Sequence, residues 1–145
     1  MPITFHNNDI KPPSIQKAAL KKFIAAQALK QAKRNLRVSY IFCTDDFLLS
    51  INKQFLNHDF YTDIITFPLG ETGEEIEAEI YISVDRVKDN AAKFKSDFKD
   101  ELNRVIFHGI LHLMGYKDKS KADKETMRRK ENEWLRKFKS SLKGI

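Results

Sequence analysis

The segment FHGILHLMGYKDKS, residues 107–120, carries the most informative pattern in the sequence. His108 and His112 are four residues apart, so on a helix their side chains lie on one face, one turn apart. Apolar residues surround them on nearly every side, which predicts a buried helix with buried imidazoles. Gly115 stands where such a helix ends and the chain turns sharply. The segment therefore predicts a core helix followed by a tight turn.

The same segment predicts a metal site. Two imidazoles one helical turn apart can bind one zinc ion, and the chain returning after Gly115 can bring the carboxylate of Asp118 to it as a third ligand. Two His and one carboxylate leave a coordination position open, as is typical of a catalytic zinc. Such an ion lowers the pKa of a bound water to about 7, which serves hydrolysis. No general base is evident, so the catalytic residues stay unassigned. The alternative is that His108 and His112 are core residues bonded to backbone carbonyls.

The rest of the sequence alternates between strand and helix patterns. Period-two apolar runs predict strands at 3–6, 36–43, 64–67 and 77–82, and good N-cap residues before apolar stripes predict helices that begin after Ser14, Thr44, Ser83, Asp97 and Ser120. The first helix is expected to bury Ile15, Ala19, Phe23 and Ala26. Pro68 and Gly70 are expected to end the third strand. The order of elements predicts an α+β fold with a four-stranded mixed sheet packed with about five helices, and the helix with His108 and His112 is the predicted metal helix.

Length and composition set the class of protein. The 145 residues suit a single domain spanning 1–145, and 41% hydrophobic residues with 11 Phe exclude a disordered chain. No apolar run approaches the roughly 20 residues that cross a bilayer, and the N-terminus lacks the pattern of a signal peptide. The single Cys43 fits a reducing compartment. The sequence therefore predicts a cytoplasmic protein without a membrane partner, and it leaves the oligomeric state open.

The net charge of +6 is unevenly placed. Residues 117–145 contain 11 Lys and Arg and five Asp and Glu, so the whole excess lies in the C-terminal segment. A basic face of this kind attracts phosphate backbones, and RNA is therefore a candidate partner. The alternative is a solvated helix face that keeps the protein soluble.

The spacing of the two histidines, Gly115 and Asp118 resembles the metzincin proteases, whose pattern begins H-E-x-x-H. Those proteases place a Glu general base directly after the first His, where this sequence has Gly109. A metal-dependent protease is therefore the less favoured alternative.

A longer resemblance is to the YbeY family of bacterial metal-dependent endoribonucleases. The stretch HGILHLMGYKD at 108–118 resembles the family signature H-G-x-L-H-L-x-G-Y-D-H, and INKQFLNHDFYTDIITFP (51–68) and AEIYIS (78–83) are similar to two further family segments. The resemblance implies one Zn²⁺, held by His108, His112 and Asp118. It also implies single-strand-specific cleavage in rRNA maturation, including the 3′ end of small-subunit rRNA, and a part in ribosome quality control. The implied partners are rRNA or ribosomal particles.

Three positions depart from the family pattern. Asp118 replaces a third His, Lys117 replaces an acidic residue, and Leu56 stands where the family has Arg. Because Leu56 removes a positive charge, a second hypothesis stays open: a non-catalytic ribosome-assembly factor whose zinc is structural.

Overall fold

The computed structural model describes residues 2–143. Its elements, in chain order, are β1 (Ile3–Asn7), α1 (Lys17–Ala32), β2 (Asn35–Cys43), α2 (Asp45–Leu56), β3 (Ile64–Glu71), β4 (Glu75–Ser83), α3 (Val84–Lys93), α4 (Phe98–Leu113) and α5 (Lys121–Lys143). This order is the predicted one, and it confirms the α+β fold with five helices. None of the helices within residues 2–143 is both long enough and apolar enough to cross a membrane.

The four strands form one mixed sheet in the order β1-β2-β4-β3. The pairs β1–β2 and β2–β4 are parallel, whereas β3 runs antiparallel to β4. Along β4 the buried residues alternate with partly exposed ones, so successive side chains face opposite sides of the sheet. One face is apolar and is covered by helices, whereas the other carries Glu75, Glu77 and Glu79 on β4 and is covered by α2 at one end.

The larger core lies between one face of the sheet and helices α1, α4 and α5. The ring of Phe23 on α1 lies 5.4 Å from that of Phe107 on α4, and 5.8 Å and 5.4 Å from those of Trp134 and Phe138 on α5. The buried Tyr40 hydroxyl on β2 donates a hydrogen bond of 2.8 Å to the carbonyl of Ile106. A smaller cluster under α2 contains Cys43, Leu48, Ile51 and Ile65. Helix α4 therefore contacts α1, α5 and β2.

Four predicted helix starts agree with the structure. Thr44 and Ser83 each accept a hydrogen bond of 3.1 Å from the backbone N–H three residues later. Asp97 precedes α4, although its side chain makes no capping hydrogen bond. The Ser120 hydroxyl accepts from the N–H of Asp123 at 3.0 Å, and the Asp123 carboxylate accepts from the N–H of Ser120 at 3.3 Å.

The predicted start of the first helix was wrong, and its predicted face was right in part. Helix α1 begins at Lys17 after an uncapped Gln16, not directly after Ser14. Phe23 is buried and Ile15 and Ala19 are partly buried against the core, but Ala26 is exposed. The buried residues of α1 are Leu20, Phe23, Ile24 and Ala28. Burying Leu20 and Ile24 removes more apolar surface from water than burying alanines, and this difference rotates the helix.

The predicted end of the third strand was also wrong. Strand β3 continues past Pro68 to Glu71, with a register shift between Pro68 and Gly70. Strand β3 lies at the edge of the sheet, where a proline is tolerated because one side of the strand has no partner strand to hydrogen-bond. The register shift after Pro68 is a bulge that lets pairing continue to Glu71.

Gly109 sets the distance between α4 and the sheet. A Cβ atom on Gly109 would lie 2.8 Å from the Cδ1 atom of Ile80 and 3.2 Å from the Cδ1 atom of Ile64. Those separations are shorter than carbon–carbon van der Waals contact. The helix therefore approaches β4 so closely that a side chain at position 109 would force the Ile80 side chain to move. The helix ends at Leu113, before Gly115, whose φ is +104°.

Candidate active site

Helix α4 and the turn after it bring two of the predicted ligands together. His108 Nε2 lies 3.8 Å from Asp118 Oδ2. Two ligands of one tetrahedral zinc, each about 2.0–2.2 Å from the ion, are separated by about 3.5 Å. Gly115 makes the return possible, because its positive φ reverses the chain directly after α4.

His112 is exposed, so the expectation that both imidazoles are buried was wrong. It lies in the last turn of α4, at the rim of the core, and it lines the same cleft as His108 and Asp118. Within residues 2–143 no group of three His, Cys, Asp or Glu side chains is already arranged to hold a metal ion. The donor types and the spacing of His108 and Asp118 fit zinc, and the full set of His108, His112 and Asp118 stays a prediction.

Glu131 on α5 holds His108 in place. Its Oε2 accepts a hydrogen bond of 2.7 Å from His108 Nδ1, and its Oε1 accepts one of 3.2 Å from Arg104 Nη1. Only 5% of Glu131 is exposed. With Nδ1 bound to a carboxylate, Nε2 is the nitrogen that faces Asp118, which is the arrangement that orients metal-binding histidines in proteins. The partner of His108 is therefore a carboxylate and not the backbone carbonyl of the alternative interpretation.

The charges around His108 change its affinity for protons. Burial of the ring lowers its pKa, but the hydrogen bond and negative charge of Glu131, with the charges of Asp118 and Asp63, outweigh burial, and the net pKa is raised. The imidazole is thus surrounded by carboxylates, an environment that also attracts a metal cation.

Two clefts meet at His108 and Asp118. The first, here called the acidic cleft, has a volume of about 460 Å³, and its lining includes Asp63, Glu101 and Glu131. Burial raises the pKa of Asp63, and the charge of His108 offsets part of that rise. A carboxyl group that holds its proton more tightly than usual beside the predicted ligands is a candidate general acid or base.

The second, here called the aromatic cleft, also has a volume of about 460 Å³. The rings of His58 and Phe60 stack in it, 5.0 Å apart at 22°, and 55% of Phe60 is exposed. Leu56, the position where the resemblance expects Arg, lines this cleft together with Lys117, Lys119 and the three predicted ligands. His58 is exposed and lines this cleft as well.

Comparison with known proteins identifies the family. The family model of Endoribonuclease YbeY matches residues 3–139. The chain belongs to the YbeY family. Proteins named Endoribonuclease YbeY from Cytophaga hutchinsonii and Bacteroides thetaiotaomicron are 49% and 41% identical to it, covering 94% and 93% of this chain and 96% and 98% of theirs. The solution structure of TM1509 from Thermotoga maritima superposes with a TM-score of 0.62 at 26% identity, covering 98% of this chain and 92% of that one.

The YbeY family pattern also explains Gly109. The metzincin-like protease alternative needs a Glu at that position, and a side chain there would displace the end of the buried Ile80 side chain. Three further residues with side chains able to do chemistry lie away from the two clefts. Glu79 on β4 accepts a hydrogen bond of 3.4 Å from the Tyr81 hydroxyl, and Met114 and Tyr116 pack against the larger core.

The sequence interpretation missed Glu131, Asp63 and the stacked pair His58–Phe60. Glu131 had a signal, because it is an acidic residue inside the apolar stripe of α5, and buried charges in such a stripe are normally paired. Asp63 and Phe60 lie in the segment 51–68 that resembles the family, but no local pattern places them beside α4.

Proposed function

We propose that this protein is a zinc-dependent, single-strand-specific endoribonuclease that matures rRNA, including the 3′ end of small-subunit rRNA, and acts in ribosome quality control in the cytoplasm. Membership of the YbeY family, whose relatives are named endoribonucleases, supports a nuclease that acts on RNA. The finer proposal depends on one observation: His108, His112 and Asp118 line the same cleft as an exposed aromatic pair and two lysines.

The three predicted ligands would hold the ion, and each neighbouring group has a role of its own. When bound, zinc supplies a Lewis acid that polarises a phosphoryl oxygen and makes water more acidic. Glu131 keeps Nε2 of His108 turned towards Asp118. Lys117 and Lys119 supply positive charge to a phosphate in this cleft, where Leu56 supplies none.

The aromatic cleft supports a preference for single strands. A base stacked on an aromatic side chain gains about 1–3 kcal/mol, and every base has a face that can stack. Bases in a duplex are stacked on one another and are not free to do so. The exposed ring of Phe60, stacked on His58, therefore favours an unpaired segment whose phosphates lie near the lysines.

The test combines metal content with cleavage. We expect elemental analysis to find one zinc per purified protein, and less in Asp118→Ala and His112→Ala. Asp89→Ala, at an exposed carboxylate on α3, should keep the full amount. Labelled single-stranded RNA should be cleaved, chelator should stop cleavage and added zinc should restore it.

Two outcomes would contradict the proposal. Equal cleavage with chelator, or by His112→Ala, would indicate a contaminating nuclease or another site. A wild-type protein that cleaves no RNA, while a folded His108→Ala/His112→Ala variant still captures ribosomal particles, would favour the assembly-factor hypothesis.

A further inference from the structure

We propose that the exposed face of α5 binds the phosphate backbone of single-stranded RNA and guides the strand towards the two clefts. This inference extends the proposed function. The surface concerned, here called the basic groove, has a volume of about 1070 Å³. Its cationic side chains are Lys119, Lys121, Lys124, Arg128, Arg129 and Arg136.

Five of these six cations lie on one side of α5, and Lys119 lies two residues before the helix. The helix buries Met127, Trp134 and Phe138 against the core, and its exposed side carries Lys121, Lys124, Arg128, Arg129 and Arg136. From Lys121 to Arg136 the helix rises about 22 Å, the length of about six stacked nucleotides at about 3.4 Å each.

The positive charge of the groove is largely uncompensated. Its two acidic residues are Glu125 and Glu133, and Glu133 pairs with Lys130 at 3.6 Å and Lys137 at 2.9 Å, neither of which lines the groove. Arg128 lies 3.9 Å from Glu131. In the part of the chain that the structure describes, the five other cations of the groove form no ion pair with Asp or Glu.

The groove is continuous with the candidate active site. Lys119 lines both the basic groove and the aromatic cleft, and Lys124 and Arg128 line both the groove and the acidic cleft. A strand whose phosphates follow α5 towards its N-terminus therefore arrives at His108 and Asp118. Solubility alone does not require the cationic face to be continuous with the two clefts.

The chemistry of the lining favours RNA over other anionic partners. The groove is lined only by charged and polar residues, and its apolar surface comes from their aliphatic stems. A helix that inserts into a membrane surface needs an apolar face, and protein interfaces are centred on aromatic and aliphatic anchors. Single-stranded RNA, a flexible polyanion with evenly spaced phosphates, needs neither an apolar face nor apolar anchors.

The test is a triple substitution of cations that line the basic groove but neither cleft, Lys121→Gln/Arg129→Gln/Arg136→Gln. Its matched control is Lys17→Gln/Lys22→Gln/Lys30→Gln on the exposed side of α1, which removes the same charge. Binding of a labelled 2′-O-methyl RNA strand of about 15 nucleotides, chosen to resist cleavage, is followed by fluorescence anisotropy over a range of salt concentrations.

We expect the triple variant to lower the slope of log K against log salt by about 2, because each phosphate contact contributes about 0.7 for a single strand. At about 0.1 M salt this corresponds to a loss of affinity of about 100-fold. The control should change neither quantity appreciably. An unchanged slope in the triple variant, or an equal loss in the control, would overturn the proposal. Preferential loss of binding to anionic lipid vesicles, with RNA binding intact, would also overturn it.

Substrate length separates this inference from the proposed function. The three substituted cations line neither cleft, so the triple variant should cleave a trinucleotide bound in the clefts as the wild type does, while KM for the longer RNA rises. If the wild type cleaves neither RNA but the salt slopes differ as expected, the groove is supported and the proposed function fails. If both proteins cleave alike and the slopes agree, the groove is wrong and the proposed function stands.

Discussion

Replacing Glu131 by Gln removes the buried negative charge that holds His108 and Arg104 together. The two groups bind opposite oxygens of the carboxylate, at 2.7 Å and 3.2 Å. Gln keeps the size of the side chain and one acceptor, so the substitution tests the charge and not the packing. His108 loses the charged group that orients its ring and turns its metal-binding nitrogen, Nε2, towards Asp118.

The magnitude follows from what remains around the site. Removing one partner of a buried ion pair costs about 3–5 kcal/mol. Here the amide oxygen still accepts one hydrogen bond, and Arg104 keeps Glu101 at 3.9 Å. We therefore expect the free energy of unfolding of the metal-free protein to fall by about 2–3 kcal/mol. Loss of a carboxylate behind a ligating His lowers metal affinity by about 10- to 100-fold.

Denaturant unfolding with chelator measures the first effect, and zinc titration against a competing chelator measures the second. The control is Glu133→Gln, two residues along the same helix, which loses ion pairs to Lys130 and Lys137 at the surface. Such pairs are worth at most about 1 kcal/mol, and this variant should keep its zinc affinity. Equal zinc affinity in Glu131→Gln and the wild type would refute the positioning role of Glu131.

Three further predictions concern the same region. Gly109→Ala should lower the free energy of unfolding by about 1–2 kcal/mol, because overlap with the buried Ile80 outweighs the better helix propensity of Ala. A thermal melt measures the change, and a variant more stable than the wild type would contradict the close contact. Phe60→Ala should lower cleavage of single-stranded RNA about 5- to 100-fold, the loss of one stacked base, whereas unchanged kcat/KM would remove the ring from the substrate path. Folding raises the pKa of His108, so the protonated imidazole should stabilise the metal-free protein at acid pH. This stabilisation should decline as the pH rises through the folded-state pKa. If the stability of the wild type relative to His108→Asn instead grew with pH, the direction of the pKa shift would be contradicted.

Local patterns predicted the parts of this protein that local physics determines. The four-residue spacing of His108 and His112, with Gly115 after them, was enough to predict a helix, a turn and the return of Asp118. The alternation along β2 and β4 and three side-chain caps were likewise visible, because each depends on neighbours in sequence.

The parts that could not be predicted depend on tertiary packing. Glu131 meets His108 only because α5 crosses α4, 23 residues away in sequence. The face of α1 was misjudged in part because Leu20 and Ile24 compete with smaller residues for the same core, and the exposure of His112 depends on where α4 leaves that core. No periodicity in a single segment contains this information.

The bond between His108 and Glu131 has a consequence during synthesis. The ribosome makes α5 after α4, so a nascent or truncated chain that stops before residue 131 has His108 but lacks the carboxylate that orients its ring. We expect such a chain to bind zinc more weakly than the folded protein, because the support for this predicted ligand forms only when α5 packs against α4.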